Sequence, residues 1–107
     1  LEIEADEKLL ERAFTNILSN AVRYAKTQIS ISGKLIENQL QITISNDGEA
    51  ISEQDQEHLF ERFYKGKGSH FGIGLAITKE IVERHKGTIT VISNAQETSF
   101  IIYLLVK

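Results

Sequence analysis

At 107 residues the chain has the size of one domain, and its 41% apolar content supplies a core while 25% charged residues argue against disorder. A net charge of −3 without any Lys/Arg block argues against nucleic acid or anionic membrane as the main partner, and the absence of cysteine excludes disulfides and thiolate metal sites. No apolar run approaches the ~18 residues of a bilayer span, and no signal-peptide pattern opens the chain.

Leu1–Glu4 reads as strand and carries no initiating Met, the pattern expected of a piece excised from a longer protein. Asp6 is a plausible N-cap, and Leu9, Leu10, Ala13, Phe14, Ile17, Leu18 and Ala21 then repeat at helical spacing, which predicts a half-buried helix. The period changes to two at Ile29 and Ile31 and again at Leu40, Ile42 and Ile44, so two antiparallel strands are expected around a turn at Glu37-Asn38-Gln39. Asn46-Asp47-Gly48 breaks the pattern. Ser52 with Asp55 forms a capping box for a short helix predicted through Arg62. Residues 65 to 71 contain Gly66 and Gly68 with little apolar content and read as a loop.

A second long helix is expected from Gly72 or Gly74, with Leu75, Ala76, Ile77, Ile81 and Val82 buried and Gly87 as its C-cap. Strands at Thr88–Ile92 and Ser99–Val106 close the chain around a turn at 94–97. The order is helix, hairpin, short helix, loop, helix, hairpin. It predicts a two-layer α/β sandwich: a mainly antiparallel, mixed sheet with three helices on one face.

Several polar groups fall where chemistry could use them. Asn16 and Asn20 are four residues apart and project from one side of the first helix, with Arg23 a turn further on and Tyr24 beside it. Two amide oxygens so placed suit Mg²⁺, and the guanidinium suits a phosphate. The same residues also suit the solvated face of any amphipathic helix. Asn46-Asp47-Gly48 ends a strand, either as a turn or as a place to meet a base. Gly72-Ile73-Gly74 opens a helix after a glycine-containing loop, which makes an anion site or simply a loop. It fits neither a dinucleotide fingerprint nor a P-loop. Phe60, Phe63 and Tyr64 read first as core aromatics. His58, His70 and His85 are dispersed, without a partner at metal-ligand spacing, and read as surface residues.

Their order along the chain is more specific than any one of them. Asn16-Ile-Leu-Ser-Asn20-Ala-Val-Arg23-Tyr24 resembles the N box of sensor histidine kinases, and Asn46-Asp47-Gly48-Glu-Ala50-Ile51 resembles their first glycine box. Leu59-Phe60-Glu-Arg62-Phe63-Tyr64-Lys65-Gly66 is similar to the F box, and Phe71-Gly72-Ile73-Gly74-Leu75-Ala76-Ile77 to the second glycine box. The resemblance covers nearly the whole chain and implies the GHKL-type ATP-binding fold shared with gyrase, the Hsp90 chaperones and MutL.

By that likeness ATP lies between the first helix and a lid at residues 65 to 71. Asn16, Asn20 and Arg23 are the implied catalytic residues, with Asn16 and Asn20 organising Mg²⁺. The implied nucleotide-binding set adds Tyr24, Asn46, Gly48, Ile51, Phe60, Lys65, Gly72, Ile73, Gly74 and Leu75, with Asn46 facing the adenine amino group. Hydrolysing members are similar to one another in carrying Glu where this chain has Asn16. An amide cannot serve as a general base, so a kinase is implied.

The phosphoryl acceptor would be a histidine on a separate dimerisation domain of the same protein. A response regulator would follow it, in a parent anchored in the bacterial cell membrane with this domain on the cytoplasmic side. The fragment itself is expected to be monomeric. Two positions depart from the family pattern: Asn46 stands in the usual aspartate place with Ala50 for a glycine, and His70 replaces the first glycine of the second box. The competing expectations are a degenerate nucleotide-binding or docking module and a serine kinase of the anti-sigma-factor type.

Overall fold

The computed structural model describes residues 5–62 and 74–106. The proposed strand at 1–4, the loop at 65–71, Phe63, Tyr64, Gly72 and Ile73 lie outside the described residues.

Helix α1 runs Glu7–Tyr24, opened by the Asp6 carboxylate, which accepts from the Leu9 N–H at 3.1 Å. Its innermost residues, Ala13, Ile17 and Ala21, recur every four residues. Strands β1 (Ile29–Ile36) and β2 (Gln39–Asn46) form a hairpin whose turn holds Glu37 at φ 53°. The short α2 runs Glu53–His58, with Ser52 Oγ accepting from the Asp55 N–H. It stops four residues short of the expected Arg62, because Leu59 turns inward to full burial. Helix α3 (Gly74–Arg84) and strands β3 (Thr88–Ser93) and β4 (Thr98–Leu105) complete the domain.

The α3 C-terminus corrects one expectation. Lys86, not Gly87, takes the left-handed conformation, at φ 60°. The Gly87 N–H then bonds Val82 O and the Lys86 N–H bonds Glu83 O, both at 3.0 Å, the two bonds of a Schellman cap. Gly87 is required for space: a Cβ there would stand 2.3 Å from the Tyr103 carbonyl oxygen.

The four strands are ordered β1-β2-β4-β3, and every pairing among the described residues is antiparallel. Helices α1 and α3 pack side by side on one face, α1 over β2 and α3 over β3. Registers of the three pairings stack residues in rows across that face. Gly33, Ile42, Ile102 and Ile89 make one row, and Ile31, Ile44, Phe100 and Val91 the next. The members on β2, β3 and β4 meet Ile17, Ala21, Leu75, Val82 and Leu59 in a single core. Past Ile29, which packs on the core, the same face of β1 is bare, with Ile31 60% exposed, because α1 and α3 lie over β2 and β3. The expected two-layer sandwich is therefore present, with its core under β2, β4 and β3.

Candidate functional site

The row beyond Ile31–Ile44–Phe100–Val91 is Ile29, Asn46, Thr98 and Ser93. It occupies the same face, two residues further along each strand, and three of its four members are polar. Asn46 is only 5% exposed and Thr98 2%. Ser93 Oγ lies 2.6 Å from Thr98 Oγ1 and accepts from the Ile51 N–H at 2.8 Å. The second hairpin thereby holds the loop that follows β2. Ile51 and Phe60 also pack their side chains against the core, Phe60 edge-on to Phe100 at 6.4 Å between ring centres.

Asn46 and Asp47 divide the work at the end of β2. Asn46 points to the helix-covered side, where its Oδ1 accepts from the Gly48 N–H at 2.9 Å. Asp47, one residue on, turns the other way and closes the α1–β1 connection. Its carboxylate accepts from the N–H groups of Lys26, Thr27 and Gln28 at 2.9 to 3.1 Å and from the Thr27 hydroxyl. These donors, the Thr27 hydroxyl first and the Thr27 and Gln28 N–H groups next, hold its carboxyl well below the usual range. Gly48 packs on the end of α1: a Cβ there would lie 2.2 Å from the Tyr24 carbonyl oxygen, a backbone atom that cannot yield. Its need for glycine thus comes from chain packing.

On α1, Asn16, Asn20 and Arg23 fall within about 60° of one another at ~100° of rotation per residue. Asn16 faces α3, where its Nδ2 donates to the Gly74 carbonyl at 3.2 Å. The Thr78 hydroxyl donates to the same carbonyl at 2.9 Å. The first turn of α3 is thus pinned to α1 by a donor that a carboxylate could not supply. Asn20 is half-buried and its side chain makes no hydrogen bond among the described residues, while Arg23 is exposed and Tyr24 half-buried. The strip ends beside the N-terminus of α3, whose N–H groups and dipole favour an anion.

Other expected site residues have different roles. The Leu75 side chain is 2% exposed and belongs to the core, so only its backbone is available to a ligand. Lys65, Gly72 and Ile73 lie outside the described residues. The stretch before residue 63 is held to α3: Arg62 Nη2 reaches both Glu80 oxygens at 3.0 and 3.1 Å, and Lys79 Nζ lies 5.8 Å from the Phe60 ring centre.

Two histidines are more engaged than the sequence suggests. His85 Nδ1 donates to Ile81 O at 2.7 Å while Nε2 accepts from the Asp6 N–H at 2.9 Å, which ties the entry of α1 to the end of α3. His58 Nδ1 meets Glu61 at 2.6 Å, and that hydrogen bond raises its pKa. Among the described residues no cluster of three acidic, histidine or cysteine side chains could hold a metal by itself. A concavity of about 800 Å³ lined by Asp6, Asn38, Arg84, His85 and Val106 lies at the far end of the sheet from Asn46 and is not this site.

Thr98 and Ser93, which complete the polar row beside Asn46, were not singled out from the sequence. Their signal was available: Phe100, Ile102 and Leu104 alternate toward the core, and one further step back reaches Thr98, just as Ile44 leads to Asn46 and Val91 to Ser93.

The sequence model described as histidine kinase-, DNA gyrase B- and HSP90-like ATPase matches residues 5–107. The chain belongs to that family. Among similar proteins of this ATPase family are the sensor histidine kinase CusS of Escherichia coli K12, 41% identical over 96% of the chain, and the heme sensor protein HssS of Staphylococcus epidermidis, 39% identical over 99%. The chain spans 23% and 24% of those relatives' lengths.

Solved structures agree with the histidine-kinase-type assignment. A mycobacterial sensor histidine kinase, MprB, superposes at a TM-score of 0.86 with 26% identity, covering 96% of this chain and 76% of that one. The histidine kinase domain of the E. coli osmosensor EnvZ superposes at 0.76 with 28% identity, covering 100% and 70%. The ATPase-family chain therefore has the fold of histidine kinase catalytic domains. No helix among its described residues is long and apolar enough to cross a membrane.

Proposed function

We propose that residues 1–107 form a single catalytic domain that binds Mg²⁺-ATP and delivers its γ-phosphoryl group to a histidine on a separate dimerisation domain of the same protein. The observation that carries this reading is the polar strip Asn16–Asn20–Arg23 running to the N-terminus of α3, beside a polar row that closes the core. The polyphosphate would lie along that strip, with the base against Asn46 and Thr98. Asn20 supplies a neutral oxygen for Mg²⁺, which when bound neutralises charge on the phosphates. Arg23 is free to swing onto a phosphate because it is exposed.

In the transfer, the acceptor imidazole nitrogen forms a bond to the γ-phosphorus as the bond from phosphorus to the β,γ-bridging oxygen breaks. ADP leaves with that electron pair, and the imidazole proton passes to solvent. The chain's own contribution is positioning and charge stabilisation. Asn16 supports a kinase over a hydrolase: its amide is tied to Gly74 and has no basic lone pair to activate water. The phosphohistidine would then serve a response regulator, in a parent anchored in the bacterial cell membrane with this domain on the cytoplasmic side.

Titration calorimetry with ATP and ADP, with and without Mg²⁺, tests the reading. Wild-type chain is expected to bind both, with ATP affinity raised by Mg²⁺ and no appreciable phosphate release. Asn20→Ala is expected to lose about tenfold in Mg²⁺-ATP affinity, the scale of one charge-assisted contact. Absence of binding at millimolar nucleotide, or rapid hydrolysis, would overturn it.

A further inference from the structure

Among the described residues, the helix layer stops short of the β1 edge of the sheet. Ile31, Gly33 and Leu35 alternate on the side that α1 and α3 cover elsewhere, opposite Ile44, Ile42 and Leu40 of β2. Ile31 is 60% exposed and Leu35 56%. Between them Gly33 has no left-handed φ, and among the described residues a Cβ built on it would meet nothing within 4 Å. Neither conformation nor packing within these residues calls for glycine there. A glycine inside a strand instead marks a place where another backbone comes close.

Helix α1 forms the wall beside this floor. Leu10, Phe14, Leu18 and Val22 recur every four residues, on the flank opposite the Asn16–Asn20–Arg23 strip that faces α3. Phe14 and Leu18 pack partly on the core, and Val22 is 67% exposed. Floor and wall together make an apolar corner of the shape that one more helix fills when it packs on a sheet and against a neighbouring helix. Two observations say whose helix it is. The chain aligns over 96% and 100% of its own length with MprB and the EnvZ domain but accounts for only 76% and 70% of them, so proteins of this fold carry further chain. Ala5 and Asp6, at the entry of α1, line one concavity with Asn38 of the β1–β2 turn. The chain thus enters the helix layer at the Leu35 end of the bare strip, on the side of the sheet that is uncovered.

We infer that the corner between α1 and β1 is a docking surface for an amphipathic helix contributed by the stretch of the parent protein that precedes Leu1. Its apolar side lies on Ile31 and Leu35, with its backbone closest at Gly33 and its flank against Leu18 and Val22. The contact fastens the domain to the chain before it and does not depend on the nucleotide-binding reading.

The chain contains no cysteine, so Ile31→Cys places a single thiol on the floor of the corner and Leu105→Cys a control on the other face of the sheet. Maleimide labelling of each is compared in the 107-residue chain and in a form extended upstream by roughly 40 residues, room for one helix and its connections. The extension is expected to slow labelling at position 31 by about tenfold or more while leaving position 105 unchanged. Gly33→Val supplies a second readout. It should leave the urea midpoint of the 107-residue chain unchanged or raised, since the space above it is open, and lower that of the extended form. Equal labelling at position 31 in the two forms, or a Gly33→Val effect of the same sign in both, would overturn the inference. So would labelling that slows in the 107-residue chain alone as its concentration rises, because the occupant would then be a second copy.

Discussion

Two rows of side chains lie one pleat apart on the helix-covered side of the sheet and have opposite characters. Ile31, Ile44, Phe100 and Val91 are apolar, with Ile44 and Phe100 packed out of water and Val91 half-buried against them. Ile29, Asn46, Thr98 and Ser93 carry hydroxyls and an amide at nearly the same depth on β2 and β4. The strands, the face and the register are shared, so only the residue two positions on differs. The apolar row is held by contact area with Ile17 and Leu75, which is indifferent to direction. The polar row is held by short, oriented bonds, Ser93 to Thr98 and Gly48 to Asn46, which would be costly to leave unmade once buried. A core that stops one pleat early leaves a directed polar floor, and the polar strip of α1 ends beside it.

The apolar row can be broken first. Phe100→Ala removes a fully buried ring and its edge contact with Phe60, with an expected loss of ~3–5 kcal/mol of stability in urea unfolding. Because Phe60 leads into the stretch after Arg62, nucleotide affinity should fall in the same variant. Affinity unchanged in the folded variant would show that the two rows act independently.

A smaller effect should come from the residue that fastens the polar row from outside. The Asp47 carboxyl titrates below its unfolded range, so its contribution is fully present above about pH 3.9 and is lost as pH falls through the lower folded value. Asp47→Asn should therefore lower the urea midpoint at neutral pH and flatten its decline below about pH 4. An acid limb identical to wild type would remove Asp47 as the cause.

The smallest effect is expected at the other end of the sheet. Lys86→Gly relieves a left-handed residue at the α3 cap and should stabilise the chain by about 1 kcal/mol without changing nucleotide affinity. A change in affinity would mean that the α3 cap and the polar row are coupled.

Much of this was legible along the chain, for identifiable reasons. The 3.6-residue repeat from Leu9 to Ala21 and the alternation of Leu40, Ile42 and Ile44 each report one buried face, so both elements could be placed before any contact was known. Asn16, Asn20 and Arg23 share a side because helical rotation alone puts them there. Asn46 lies on the inward side because it continues the alternation of Ile44, a step the residue order already carries. The short helix was drawn too long because Leu59 and Phe60 extend its apolar pattern; their packing on the core, not their propensity, ends it at His58.

Local periodicity by itself thus determined which residues face inward, because each side chain's direction follows from its own backbone. Only the tertiary structure decided what they meet there. It set Thr98 beside Asn46 and Ser93 beside Thr98, through strand register across 52 and 5 residues of chain respectively. It put Asp47 to closing the α1–β1 turn and Asn16 to holding Gly74. It also showed that Gly48 and Gly87 are glycines because a neighbouring carbonyl stands where a side chain would be. Those partners are set by packing between elements, and packing has no signature in the spacing of any one of them.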